Sequence, residues 1–162
     1  MYQTEIEIPF HTIKQRIIDT YKQTYFTAIN ISPRLQSYSL FKHEFTSETY
    51  IDIINENKYR YCLSRFRISS HNLAIETGRY DNTPRENRKC TTCQMNQIEN
   101  EYHFLLVCPA YRDLRKKYFK KYYCSWPTIN KFTSLMSNQS KSTLINISKF
   151  LYDAEKIRSQ TS

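Results

Sequence analysis

Apolar residues recur at helical spacing through most of the chain. Ile13, Ile17, Tyr21, Tyr25 and Ala28 fall on one side of a helix, Thr12 and Gln15 have capping-box spacing, and the pattern stops near Asn30, ahead of Pro33. A second helical pattern opens near Ser47 with Glu48 in its first turn. It carries Tyr50, Ile53, Ile54 and Asn57 and continues through Tyr59, Leu63, Phe66 and Arg67, with Ile51 and Ile54 as core and Arg60, Arg65 and Arg67 as solvated charges. Pro109 can open a third helix. Tyr111, Leu114, Tyr118 and Tyr122 share one face of it, and Arg112, Lys116, Lys117, Lys120 and Lys121 occupy most of the other. Trp126-Pro127 separates this helix from a shorter one around Ile129 to Met136. A last helix from about Ser140 turns Leu144, Ile147, Leu151 and Ala154 inward, carries Arg158 near its end and frays over Ser159 to Ser162.

Between these patterns the signals change. Glu5-Ile6-Glu7-Ile8 alternates and breaks at Pro9, which suits a short edge strand or a tether. Leu35, Tyr38, Leu40, Phe41 and Phe45 suit an extended piece packed on helices. From Ser69 to Lys89 the apolar period disappears; Thr77-Gly78-Arg79 reads as a turn whose glycine can take positive φ, and Pro84 marks a further break. The expected architecture is therefore mainly α, a small helical domain with a metal-clamped loop between its helical halves. Residues 1–58 form an N-terminal helical segment and 59–162 a basic domain, free to pack as one unit. Its bulk comes from fourteen Tyr and nine Phe, and its single glycine leaves few tight turns.

The clamp is Cys90-x-x-Cys93, then nine residues to His103 and four more to Cys108. Two thiols separated by two residues can reach one ion, and the His and Cys can supply the other corners of a tetrahedron. Three thiolates and an imidazole suit zinc rather than magnesium or calcium, and a filled tetrahedron leaves no place for an activated water, so the inferred zinc is structural. A redox C-x-x-C wants a βαβ context, which the polar, basic flanks do not supply. A disulfide framework conflicts with five cysteines and with an N-terminus lacking an apolar signal segment. Cys62 and Cys124 stand apart and read as small core residues.

Charge sharpens the picture. The net +9 divides into −2 for residues 1–57 and +11 for residues 58–162, so the metal-bearing part is the basic part. Such an excess attracts polyanions, nucleic acid first, although a solvated amphipathic helix has the same pattern. Arg79, Arg85, Arg88 and Lys89 on the loop, with Arg112, Lys116, Lys117, Lys120 and Lys121 on the helix, are the candidate contacts to RNA or DNA phosphates. Aromatic residues can stack on single strands, but most of them are needed as core. Catalysis has no positive support: each Asp stands alone, and phosphate loop, G-x-S-x-G elbow and His-paired nucleophile are all missing. His71 can serve as a nucleic-acid contact, although a hydrogen-bonded structural histidine is the more frequent case. No apolar run approaches a membrane span, and the expected setting is intracellular, nuclear or cytoplasmic.

Phe66-Arg67, Ser70-His71, Leu73, Ile75-Glu76, Gly78-Arg79, Pro84-Arg85-Glu86, Arg88 and Cys90-x-x-Cys93, followed by Glu101-x-His103-Phe104-Leu105-Leu106-x-Cys108-Pro109-x-Tyr111 and Leu114-Arg115, form one ordered set. Over residues 60 to 115 this set resembles the carboxy-terminal zinc-binding region of non-LTR (LINE-type) retrotransposon reverse transcriptases. The resemblance implies a non-catalytic region in which Cys90, Cys93, His103 and Cys108 are the zinc ligands and nearby basic residues handle RNA or target DNA. The chain departs from that pattern in having no Asp-Asp polymerase motif, endonuclease, fingers or palm. It looks like a tail detached from its polymerase. A protein-interaction or structural domain, or an unselected remnant, is the alternative.

Overall fold

The computed structural model describes residues 9–161, so the Glu5–Ile8 alternation lies outside the described residues. The first helix, α1 (Phe10–Ile31), starts at Pro9, whose carbonyl accepts the N–H groups of Thr12 and Ile13. The expected capping box is not used, because Thr12 already lies inside the helix and the Gln15 amide donates to Asp19 at 2.9 Å. The helix is as long as the periodicity requires. Its apolar stripe, however, is not core: Ile13, Ile17 and Tyr21 are exposed at 44%, 52% and 66%, and only Ile29, near the far end, is buried. Periodicity specifies a face, and a partner must still be present to cover it.

The stretch expected to be extended instead forms α2 (Gln36–Ser39), which buries Tyr38 and Phe41 and leaves Leu40 and Phe45 exposed. The second pattern splits into α3 (Tyr50–Ile53) and α4 (Asn57–Arg67). Ile54 turns extended at the break and drops its side chain into the core, while Ile51 stays 46% exposed. Arg67 also departs from expectation. It is buried, donates to Glu48 at 2.9 Å and to the Met136 carbonyl at 2.9 Å, and lies over the Phe41 ring. A guanidinium is tolerated there because a carboxylate, a carbonyl and ring faces replace its water.

The segment from Ser69 to Lys89 is more ordered than its composition suggests. Residues Ala74–Tyr80 form α5 with Gly78 inside it, and no glycine has a positive φ among the described residues. What Gly78 provides is room. A Cβ there would lie 2.7 Å from Arg88 Cγ, and the Arg88 guanidinium is fixed by donating to the carbonyls of Thr83 and Ile75, both at 2.9 Å. The clash falls on the middle of a tethered side chain. Gly78→Ala is therefore expected to destabilise by about 1–2 kcal/mol despite the better helix propensity of Ala, read as a lower denaturant midpoint.

The second half contains α6 (Arg112–Tyr118), α7 (Lys121–Cys124), α8 (Ile129–Met136) and α9 (Lys141–Thr161). The Thr128 side chain accepts from Lys131 N and caps α8, whose limits match the sequence reading. The long α9 is the spine, packed against α3, α4 and α6. It buries Leu144, Ile147, Leu151 and Ala154 as expected, together with Phe150. Aromatic rings fill the centre: Phe104 lies 4.8 Å from Tyr111 and Phe119 lies 4.8 Å from Phe150, centroid to centroid. Ile29, Tyr38 and Ile54 belong to the same buried cluster as Phe132 and Phe150. The described residues contain no strand, only a single antiparallel bridge between Lys89 and Ile98. No helix among them is long and apolar enough to cross a membrane.

Candidate metal centre

The Lys89–Ile98 bridge brings the two ends of the C-x-x-C turn together. Cys90 N donates to the Gln97 carbonyl and Glu99 N to the Arg88 carbonyl, both at 2.9 Å, and Asn96 closes the turn at φ 50°. Asparagine accepts the left-handed region more readily than most residues. The other two side chains come from His103–Val107, a π-helical turn closed by Cys108 N donating to the His103 carbonyl at 2.7 Å. In a regular α-helix, residues five apart point about 140° away from each other. The wider turn brings His103 and Cys108 onto one side, a use of single π-turns frequent at functional sites. Asn100 caps the start of the turn by accepting from His103 N at 2.8 Å.

Cys90, Cys93, His103 and Cys108 converge so that their ligand atoms all lie within 4.8 Å of one another, a cluster that can hold a metal ion. Cys90 Sγ is 3.9 Å from Cys108 Sγ and Cys93 Sγ is 3.5 Å from His103 Nε2. All five cysteines are free thiols, so no disulfide competes for the site. His103 Nδ1 faces Gln97 Oε1 at 3.1 Å, which leaves Nε2 for the cluster. With a cation on Nε2, the Nδ1–H donates to that amide and fixes the ring. The Cys90 thiol is pushed well below the ordinary range by hydrogen bonds led by the one from Cys108, whereas that same bond and burial push Cys108 up. The two thiols thus shift in opposite directions. A cation removes the conflict by stabilising both thiolates.

Two carboxylates that the sequence reading did not single out for this role lock the loop to the helices. Glu99, almost wholly buried, accepts from Ala74 N at the start of α5 and pairs through both oxygens with the Arg158 guanidinium on α9. Arg158 also donates to the Asn72 carbonyl and to Thr92 between the first two cysteines. Glu101 accepts from Ser37 and Ser69, both at 2.7 Å, and lies 3.1 Å from His71 Nε2, which confirms His71 as a structural histidine. Both carboxylates lie in a polar stretch, Gln97-Ile98-Glu99-Asn100-Glu101, so no local signal marked them as buried.

Burial alone would raise the Glu101 carboxyl, but hydrogen bonding and charge from His71, with the two serines, outweigh it and lower it from 4.5 to about 2. A group depressed on folding stabilises fully above its unfolded value and loses that contribution as pH falls through the folded one. Between about pH 4.5 and 2 the parent is therefore expected to lose about 3 kcal/mol that Glu101→Gln does not lose. Parallel denaturant titrations test this. Acid release of metal affects both proteins alike, so the difference between them reports Glu101; identical pH slopes would refute it.

The nine expected cationic contacts do not behave alike. On the loop, Arg79 pairs with Glu76, exposed Arg85 donates to Gln36, Lys89 is half-buried at the bridge, and Arg88 is turned inward as described above. The helix cations are the more available set. Arg112, Lys120 and Lys121 are exposed, as are Lys116 at 68% and Lys117 at 60%, with surface pairings to Asp113 and Asp153. The helix is not continuous, however, because it breaks at Phe119, which enters the core. Tyr123 rather than Tyr122 is buried after the break. Arg115 is buried as well and donates to the Cys108 carbonyl at 2.6 Å, satisfying the backbone beside the last thiol.

No family model matches the chain, and no curated protein or solved structure shows significant similarity to it.

Proposed function

We propose that the protein is a zinc-binding, nucleic-acid-binding module without catalytic activity, resembling the tail region of LINE-type reverse transcriptases. The observation that carries the metal assignment is the ligand spacing. Zinc bound tetrahedrally by thiolates at about 2.3 Å and imidazole at about 2.0–2.1 Å sets sulfur–sulfur edges of about 3.8 Å and sulfur–nitrogen edges of about 3.6 Å. The distances of 3.9 and 3.5 Å fit those edges. Four protein ligands complete the coordination, so the ion's work is to hold the loop in place.

Exposed cations on α6 and α7, immediately after the last ligand, support binding to a polyanion. Their surface ion pairs are worth little, so phosphates can replace the carboxylates. If Lys116, Lys117 and Lys120 each neutralise one phosphate, replacing all three by Ala weakens binding at low salt and reduces the log–log salt slope by roughly 2–3 units, without changing sequence preference. Fluorescence anisotropy with mixed-sequence RNA and DNA at several salt concentrations measures both quantities. The exposed apolar stripe of α1 favours a second reading, a protein-interaction module. Unchanged affinity and slope in the triple variant would put that reading first.

A further inference from the structure

A cavity of about 660 Å³ lies between α4, the Asn72 loop and the last turns of α9, and neither the Cys/His cluster nor the α6 lysines line it. Its lining is largely apolar and partly aromatic: Phe66, Phe104, Leu73 and Leu151 line it, all four buried, beside the buried His71 imidazole that is held by Glu101. Its rim is cationic. Arg65 and Lys156 stand there, and neither is ion-paired among the described residues. The Arg65 Nε is anchored on the Ser70 carbonyl at 2.6 Å, which orients its guanidinium, and the Lys156 ammonium sits 4.4 Å from the centre of the Tyr152 ring. The Asn72 amide and the Glu155 carboxylate add hydrogen-bonding groups at the mouth.

We propose that this cavity seats one unstacked nucleotide of a single-stranded nucleic acid. A base is a flat body that gains from an aromatic, apolar enclosure and keeps polar edges that an amide and a carboxylate can meet. Its phosphate needs the cations that the rim supplies. A purely apolar ligand would leave Arg65 and Lys156 unused, and a bare phosphate would leave the interior empty. The pocket wall is also tied to the metal loop, since Arg158 lines the cavity and bonds Glu99 and Thr92. This inference rests on the nucleic-acid reading above and adds that the bases, as well as the phosphates, are bound.

The test compares a mixed-sequence single strand with a strand of equal length and charge in which every nucleotide is abasic. Stacking predicts that the parent binds the base-bearing strand roughly 10-fold or more tightly. Ser159→Trp, which places a ring at the exposed rim of the cavity, should abolish that preference and leave affinity for the abasic strand unchanged. Asn72→Trp, which also places a ring at the exposed lining of the cavity, provides the same block if the first variant loses helicity. Equal affinity of the parent for the two strands overturns the pocket and leaves phosphate binding standing; no binding of either strand at low salt overturns both readings. Adenosine monophosphate binding as tightly as the strand would make the ligand a free nucleotide and also overturn the proposal.

Discussion

Cys93→Ser is expected to abolish stoichiometric zinc binding and to release the segment from about residue 69 to 110. Structural zinc contributes on the order of 10 kcal/mol of apparent free energy in small domains, far more than any single hydrogen bond here. Cys93 is the ligand of choice because it is only partly buried, whereas Cys108 is fully buried and its loss would disturb packing as well. The damage should stay regional. The α4–α9 contact has its own core of Leu63, Phe66, Ile147 and Leu151, which does not include the ion. Hydrogen exchange should therefore show lost protection over Cys90–Cys108 with slow exchange retained in α9, and far-UV CD should keep most of its helical signal. Complete loss of helix would mean that the whole fold depends on the metal.

Glu99→Ala is expected to cost about 3–5 kcal/mol, because it leaves the Arg158 guanidinium and the Ala74 N–H in a buried setting without their main acceptor. The double variant Glu99→Leu, Arg158→Met should recover part of this loss, since burying neither charge is cheaper than burying one. Denaturant midpoints of the two proteins under saturating zinc provide the comparison. A double variant less stable than Glu99→Ala would show that Arg158 stabilises chiefly through its contacts to Asn72 and Thr92.

The Cys/His cluster was the most legible feature of the sequence, because coordination chemistry restricts both residue type and spacing. Cys90-x-x-Cys93 with His103 and Cys108 could be read as one set before any geometry was known. Local signals also placed α8 and α9 closely, since the break at Pro127 and a sustained apolar period both act within a few residues. The cationic residues were visible, but their roles were not. Arg88 and Arg85 look the same in sequence, yet one is fixed against carbonyls beside Gly78 while the other faces solvent with Gln36.

By itself the sequence determined the helical class, the grouping of Cys90, Cys93, His103 and Cys108 as one candidate metal set and the concentration of positive charge in residues 58–162. These follow from composition, spacing and period, which are properties of neighbouring residues. Only the tertiary structure decided which apolar faces are covered and which charges are buried. Ile13, Ile17 and Tyr21 have core periodicity but are left exposed by the described residues, while Arg67, Glu99, Glu101 and Arg115 are charged but internal. Burial depends on which distant elements meet, and a buried charge persists only where an opposite charge or a backbone group from another part of the chain takes the place of water. The π-turn at His103–Val107 belongs to the same class: the five-residue spacing permits a shared ion, and the structure shows the helix widening by one residue so that both side chains join the Cys/His cluster.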